Sequence, residues 1–303
     1  AVEWLTGKVP RSPDIGNRLA WDAPELAVGL LVPISLVSSN FEMVQINLLV
    51  LGLVFLGFRL LGSRRWLGGF LFGVGSAIKV TPILLLPYLA WRGRWRDLGA
   101  ALAGVFVGWF VLPAFVLGPA GVSAWWRAWI KVLPATGSMV NWLNQSIKSI
   151  AVLHFGPEVG IRIWIFGTLL LAVLILVAFA SPFRGVDSRR TASEVALLLV
   201  ASTVVSPVAW KAHYVTLVPL SAAVFVMARD LEPKRRRLAL IGLGIVAAGS
   251  NLTPPDVIGR STAVCLQEYG LVLWMALLLV GIGLGLLGCA ANPSPARLRS
   301  EES

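Results

Sequence analysis

Long apolar runs alternate with short clusters of basic residues along most of the chain, as in "LLLAVLILVAFA" (169–180) and "LVLWMALLLVGIGLGLLG" (271–288). A membrane-spanning helix needs about 20 mainly apolar residues. The pattern therefore predicts an all-α, polytopic integral membrane protein, a bundle of about ten transmembrane or half-membrane helices. The predicted helices cover residues 25–39, 46–61, 66–78, 82–91, 98–118, 162–181, 194–210, 213–228, 238–250 and 270–290.

The basic clusters set the expected orientation and the segment boundaries. Lys and Arg favour the cytoplasmic loops of membrane proteins, and this rule predicts that both termini are cytoplasmic. Residues 1–23 are polar and are interpreted as a cytoplasmic segment, and as the point at which a longer chain would have been cut. Residues 24–291 form the predicted membrane domain, and residues 292–303 form a cytoplasmic tail.

A lysine interrupts the apolar stretch "GVGSAIKVTPILLLPY" (73–88). Arginine clusters flank residues 66–91 on both sides, so one straight span would place them on opposite faces of the membrane. A hairpin of two short helices that turns at "KVTP" (79–82) avoids this, since Pro82 lacks an amide hydrogen and favours a break. Lys79 would then lie at a recessed tip facing outward. A charge within the membrane is a functional hypothesis by default.

The segment "AWWRAWIKVL" (124–133) predicts an amphipathic helix in the long loop 119–161. Trp125, Trp126, Trp129 and Leu133 share one helical face, opposite the basic residues. Such a helix lies in the membrane interface. It is interpreted either as an aromatic anchor or as a wall of a groove for a lipid substrate.

Composition narrows the function classes further. Only 14% of the residues are charged and 57% are hydrophobic, whereas a soluble domain is about 25% charged. The net charge of +11 is spread over short clusters between apolar runs, which favours membrane orientation over nucleic-acid binding. Cys265 and Cys289 lack any metal-ligand spacing. We expect no metal, no nucleotide motif and no cofactor.

The predicted outer side carries many cations and few carboxylates. This asymmetry suits an anionic substrate, such as a lipid phosphate held by point charges. The cations expected there are Lys79, Arg127, Lys131, Lys148, Arg162, Lys211 and Arg260, beside His154 and His213. The carboxylates are Glu42, Glu158, Asp256 and Glu268.

Four segments in this order resemble glycosyltransferase family 87. They are "VQINLLVLGL" (44–53), "RRWLGGFLFGVGSAIKVTPILLLPYLAWRGRWRDL" (64–98), "NQS" (144–146) and "SPVAWKAHYVTLVPL" (206–220). The resemblance covers roughly residues 26–230. It implies a GT-C-like bundle that moves a hexose, mannose in this family, from a polyprenyl-phosphate donor to a lipid or glycan acceptor on the outer face. Its partners would be these two substrates and membrane lipids.

The resemblance also implies roles for individual residues. Lys79 would bind the donor phosphate, helped by His213 and Lys211. Contacts to sugar or acceptor would come from Gln45, Asn47, Asn144, Gln145, Ser146 and Tyr214. Structural roles remain open for several of them: Lys79 could reach the interface, Gln45 and Asn47 could hold helices together, and Asn144 to Ser146 could cap a helix.

Two departures from the family pattern matter. The family has an acid and a histidine where this chain has Lys211 and Ala212. GT-C enzymes also carry a catalytic acid in the first outer loop. We expect this loop and its helix pair to be missing from this chain, which leaves Glu42 and Asp256 as candidate bases. Two other functions therefore stay open: a non-catalytic binder or flippase of lipid-linked sugars, and an inactive truncated paralogue.

Overall fold

The computed structural model describes residues 23–61, 64–180 and 188–291. The predicted end segments lie outside this part of the chain, apart from Ala23. The helices are α1 (Ala23–Leu31), α2 (Ile34–Glu42), α3 (Asn47–Leu60), α4 (Arg65–Ile78), α5 (Leu85–Trp91), α6 (Trp95–Phe106), α7 (Leu112–Gly137), α8 (Ile147–Phe179), α9 (Ser188–Val205), α10 (Leu217–Arg229), α11 (Pro233–Asn251), α12 (Pro255–Ile258), α13 (Arg260–Glu268) and α14 (Leu271–Ala291). Two 3₁₀ turns (Thr81–Leu84 and Lys211–Thr216) and one π-helical turn (Val107–Val111) link them.

The prediction of an all-α membrane protein is confirmed. In the part of the chain that the structure describes, four helical stretches are long and apolar enough to cross a membrane, and a fifth span results if the bent pair α1–α2 is counted as one. Three shorter apolar helices, 47–60, 66–78 and 81–91, accompany them. Within the described ranges there is no β-strand, only an isolated antiparallel bridge between Asn144 and Trp210.

The predicted helix 25–39 is wrong as a single element. It is two helices, α1 and α2, bent by 66°. Pro33 lies at the junction, with φ −104° and ψ 35°. Because proline has no amide hydrogen and disfavours helical geometry in the preceding residue, the break falls here.

Two Gly-Pro pairs fold long helices back on themselves. Gly118 (φ 67°, ψ 167°) precedes Pro119 in α7, and Gly156 (φ 78°, ψ 169°) precedes Pro157 in α8. Only glycine adopts this backbone conformation readily. The predicted helix 98–118 therefore ends at the first pair, and the segment before 162, predicted as loop, is helical from Ile147. The helices α12 and α13 were likewise not predicted.

Glycines bring α4 and α6 into direct backbone contact. A methyl group at Gly69 would lie 2.2 Å from the carbonyl oxygen of Asp97, and one at Gly73 would lie 1.9 Å from that of Ala101. The residue numbers increase in the same direction along both helices in these contacts, so α4 and α6 run parallel. The chain must therefore reverse direction after α4 and return through α5 before α6 begins. This confirms the hairpin predicted at residues 79–82.

The bundle has two chemically different ends. At the end that we call the arginine-rich end, Glu194 binds Arg92, Arg190 and Tyr88, with 3.1 Å to Arg190 Nε and 2.8 Å from Tyr88 Oη. Glu194 was predicted at a helix start, but α9 begins six residues earlier, at Ser188. The carboxylate of Glu194 is buried. At the opposite end, which we call the pocket end, residues of the Lys79 turn and of the turn Lys211–Thr216 line one pocket together with Leu199 of α9. The most buried residues lie between these ends, mainly on α9, α10 and α14.

Candidate functional site

A small, partly open pocket lies against the Lys79 turn. Residues from α3, α9 and both 3₁₀ turns surround it. Its lining consists of Asn47, Val50, Leu51, Val54, Lys79, Thr81, Pro82, Leu199, His213, Val215 and Thr216. Thus three residues predicted as site residues, Asn47, Lys79 and His213, share one pocket although they lie far apart in sequence.

The backbone places Lys79 at the end of a helix rather than inside it. Helix α4 ends at Ile78, and Lys79 is extended (φ −145°, ψ 130°), with its amide still bonded to the carbonyl of Gly75 at 3.1 Å. The 3₁₀ turn that follows carries Pro82 at its start. The side chain of Lys79 is consequently directed away from the helix axis, and its ammonium donates a hydrogen bond to Oδ1 of Asn47.

A buried amide pair fixes the orientation of Asn47. Its Nδ2 donates to Oδ1 of Asn40 at 2.8 Å and to the carbonyl of Ala212 at 3.0 Å, while Asn40 Nδ2 donates to the same carbonyl at 2.8 Å. Because both donors of Asn47 are used in this way, its oxygen is presented to Lys79. The network joins α2, α3 and the turn Lys211–Thr216. Asn40 was missed at the sequence level, since no motif marked it.

The turn Lys211–Thr216 adds further polar groups. The ring of His213 lies parallel to that of Trp210, with centroids 6.3 Å apart and 13° between the planes, and His213 lines the same pocket as Lys79. Lys211 begins the same turn, which packs against α2. Two lysines and a histidine thus come from two facing turns, which favours an anionic ligand.

Asn144 and Ser146 are completely buried and bonded to protein groups. Asn144 Nδ2 donates to the carbonyls of Met139 (2.8 Å) and Pro207 (3.1 Å), and its Oδ1 accepts from the amide of Ala209 at 2.9 Å. Ser146 caps α8 by accepting from the amide of Ser149 at 3.1 Å. These side chains hold the segment before α8 against the segment before the His213 turn. Their predicted contact with sugar or acceptor stays a prediction.

Gln145 and Tyr214 strengthen the same junction. Tyr214 Oη donates to the carbonyl of Gln145 at 2.6 Å, and Gln145 Nε2 donates to the carbonyls of Trp142 and Gln267, each at 2.7 Å. Both side chains are fully buried. The "NQS" and "SPVAW…HY" segments, far apart in sequence, therefore form one unit behind the pocket.

The remaining predicted residues lie elsewhere. Gln45 is half-buried, and its side-chain amide donates one long hydrogen bond, 3.5 Å to the carbonyl of Met43. Glu42 and Asp256 are exposed, and neither lines the pocket. Hence the described residues that line this pocket include no carboxylate.

The residues that line the pocket are suited to binding an anionic group rather than to removing a proton from an acceptor. The pocket offers an ammonium group, an imidazole and an amide on one side and apolar side chains on the other, which fits a phosphate attached to an apolar chain. Among the described residues, no group of three or more His, Cys, Asp or Glu is placed to hold a metal ion. Proton removal from an acceptor would need a base beyond the pocket lining.

The sequence profile of glycosyltransferase family 87 matches residues 1–207. The chain belongs to glycosyltransferase family 87. The match includes the Lys79 hairpin, the "NQS" segment and Pro207, and it ends just before the His213 turn.

The names of curated relatives of this family 87 protein state the sugar donor that those relatives use, polyprenol-phosphate mannose. A polyprenol-phosphate-mannose-dependent alpha-(1-2)-phosphatidylinositol mannoside mannosyltransferase of Mycobacterium tuberculosis is 30% identical over 299 residues, covering 93% of this chain and 65% of the relative. The protein of the same name from Mycolicibacterium smegmatis is 28% identical, covering 78% of this chain and 53% of the relative.

A third relative, a Mycobacterium tuberculosis enzyme named for phosphatidylinositol pentamannoside, is 26% identical over 60% of this chain. The chain thus spans between two fifths and two thirds of the length of these relatives. No solved structure matches this family 87 protein.

Proposed function

We propose that this protein takes mannose from a polyprenyl-phosphate donor and transfers it to a lipid or glycan acceptor. The names of the relatives support the donor and suggest a mannosylated phosphatidylinositol as the acceptor. In the proposed reaction the acceptor hydroxyl attacks the anomeric carbon, and the bond from this carbon to the phosphate oxygen breaks. Polyprenyl phosphate leaves with the electron pair, and a base takes the hydroxyl proton.

The observation that carries the proposal is the position of Lys79. Its ammonium lies in a pocket with mainly apolar walls, which His213 also lines, and is oriented by Asn47. An oriented cation stabilises the negative charge that builds up on a leaving phosphate. Lys211 would contribute from the neighbouring turn. The pocket thus supplies the leaving-group half of the reaction.

The general base that takes the hydroxyl proton is proposed among the two candidate carboxylates of this chain. Of the two carboxylates considered, Glu42 ends α2, the helix that Asn40 joins to the turn Lys211–Thr216 beside the pocket. Asp256 lies on α12, and α12 contributes no residue to the pocket lining. We therefore favour Glu42 over Asp256 within this chain.

The proposed orientation follows from the two ends of the bundle. Arginine clusters mark the cytoplasmic side of membrane proteins, so the arginine-rich end would face the cytoplasm. The pocket end would then face outward, and the acceptor would be reached there. Both termini would be cytoplasmic, as expected from the sequence.

The test is sugar transfer from radiolabelled polyprenyl-phosphate mannose by purified protein in lipid nanodiscs. Lys79→Ala should reduce transfer by at least about a hundredfold, the scale seen when one charge-stabilising group is removed. Lys234→Ala serves as the matched control, since Lys234 is an exposed lysine at the start of α11. Wild-type turnover in the Lys79 variant would overturn the phosphate role.

A second function, binding or flipping of lipid-linked sugars, is favoured by one observation: no carboxylate lines the pocket among the described residues. Release of free polyprenyl phosphate separates the two functions. A transferase releases it in proportion to the sugar transferred, whereas a binder or flippase leaves the sugar attached.

A further inference from the structure

Five aromatic rings gather where the π-helical turn Val107–Val111 meets the second half of α7. We call this group, Trp109, Phe110, Trp125, Trp126 and Trp129, the aromatic corner. Trp126 is its centre, with ring centroids 5.5 Å from Trp109, 5.6 Å from Phe110, 5.0 Å from Trp125 and 5.2 Å from Trp129. The Phe110 and Trp126 rings are stacked, at 24°.

The corner exists because the chain doubles back at Gly118. A straight helix would separate Phe110 from Trp126 by about 24 Å, at about 1.5 Å per residue. The observed ring separation of 5.6 Å requires a reversal, which the backbone of Gly118 provides (φ 67°, ψ 167°). The amphipathic face expected for residues 124–133 is thus turned toward the π-helical turn.

The corner lies directly beside the Lys79 hairpin. Trp109 Nε1 donates to the carbonyl of Ala77 at 3.0 Å, and Ala77 lies two residues before Lys79. A methyl group at Gly108 would lie 2.4 Å from the Cβ of Ala77, so the π-helical turn packs tightly on the end of α4. The apolar surface of the corner therefore lies beside the end of α4, next to the hairpin tip.

Much of this surface remains uncovered. Phe115, at the bend, is 85% exposed, and Trp125 and Phe110 are also exposed. In the most apolar part of the helical stretch Trp95–Ala135, only 11% of the residues are buried inside the bundle. Trp126 Nε1 is buried and has no hydrogen-bond partner among the described residues. The π-helical turn is itself a rare interruption that occurs most often at functional sites.

We propose that the aromatic corner binds the first isoprene units of the donor's polyprenyl chain. The identity of this occupant rests on the proposed function, because a polyprenyl phosphate joins its anionic group directly to an apolar chain. With the phosphate at Lys79, the chain must leave the pocket along an adjoining apolar surface. The corner adjoins the hairpin tip through Trp109, and flat rings match the methyl groups and double bonds of an isoprenoid. It also opens toward the bilayer, where the rest of the chain resides.

The first experiment maps the chain by photolabelling. The probe is a polyprenyl phosphate without sugar that carries a diazirine on its second isoprene unit, added to the full protein in phosphatidylcholine nanodiscs. We expect peptide mass spectrometry to find the label within residues 106–130, and excess polyprenyl phosphate to remove it. Equal labelling of the apolar helix α14, or removal of the label by extra phosphatidylcholine alone, would show a general lipid-facing belt and overturn the proposal.

The second experiment uses matched tryptophan variants. Trp126→Leu should lower the photolabelling about fivefold, whereas Trp95→Leu, an exposed tryptophan at the other end of the same stretch, should leave it unchanged. In transfer assays, Trp126→Leu should raise KM about fivefold for a long-chain donor but not for a two-isoprene donor, a change of about 1 kcal/mol. Equal effects on both donors would indicate a purely structural ring and contradict the proposal.

The two proposals fail in different ways. If the wild-type protein transfers no sugar but is photolabelled at the corner, the transferase function falls and the lipid site stands. If transfer proceeds and the label lies elsewhere, the lipid site falls and the function stands.

Discussion

The Lys79 ammonium donates a hydrogen bond to Oδ1 of Asn47, a residue 32 positions earlier at the start of α3. The partners of Asn47 explain the direction of this bond. Both of its amide hydrogens are held by Asn40 and the carbonyl of Ala212. The lysine that begins the hairpin turn is thus oriented by a buried network built from other helices.

Asn47→Ala should impair donor use without unfolding the protein. Lys79 loses its oriented acceptor, and we expect KM for polyprenyl-phosphate mannose to rise about tenfold, equivalent to one hydrogen bond to a charged group. Steady-state transfer assays measure this. Asn251→Ala is the control, because the side-chain amide of Asn251 also makes hydrogen bonds, among them one from the amide of Ser35 and one to the carbonyl of Val32. These lie at the contact between α2 and α11. An equal rise in both variants would argue against a specific role for Asn47.

Asn144→Ala should destabilise the fold. The substitution leaves the buried amide of Ala209 without its acceptor, which costs about 1–3 kcal/mol. The carbonyl of Pro207 keeps its second hydrogen bond, from Ser146 Oγ. Thermal unfolding in detergent should show a lower Tm.

Gln45→Ala is the comparison for this variant, since the side chain of Gln45 makes one long hydrogen bond to the described residues and the substitution keeps its backbone. We expect its Tm to be unchanged. A raised KM for donor or acceptor in this stable variant would support the predicted sugar contact of Gln45, and an unchanged KM would remove it from the site.

Glu194→Ala should be the most destabilising single change at the arginine-rich end. The carboxylate binds Arg92 and Tyr88 of the hairpin and Arg190 of its own helix. Removing one partner of a buried ion pair costs about 3–5 kcal/mol. Chemical unfolding with Glu232→Ala, an exposed acid, as the control tests this. A loss below about 1 kcal/mol would show that the cluster is solvated.

Gly73→Ala should force α4 and α6 apart. The added methyl group would lie 1.9 Å from the Ala101 carbonyl oxygen, and overpacking of this kind costs about 1–3 kcal/mol. Gly99→Ala in α6 meets nothing within 4 Å, so the same chemical change should be neutral or stabilising there, by up to about 1 kcal/mol. Equal Tm values for the two variants would contradict the close backbone contact.

The hairpin could be predicted because its signals are local. Arginine clusters on both sides of residues 66–91 and Pro82 at the turn were enough. The predicted helix 98–118 ends at the break at Gly118, but the break at Gly156 was not found, since glycine is common in apolar helices and its backbone conformation depends on tertiary contacts. Residues 147–155 were assigned to a loop because polar residues interrupt their apolar pattern.

The site was predictable only in part, for the same reason. Lys79 and His213 stood out as ionisable groups in apolar surroundings, and the structure brings both to one pocket. Asn40 and Trp109 carried no such signal, because a single amide or indole in an apolar run has many ordinary explanations. Their importance depends on contacts to Ala212 and Ala77 that only the folded chain creates.

The backbone contact between α4 and α6 has a consequence for the surrounding bilayer. Main chain lies against main chain at Gly69, Gly73 and Gly104, so these helices cannot slide by changing side-chain rotamers. The distance from the Lys79 turn to the arginine-rich end is therefore constant. When the bilayer thickness changes, the lipids around this hairpin must stretch or compress, or the whole bundle must tilt.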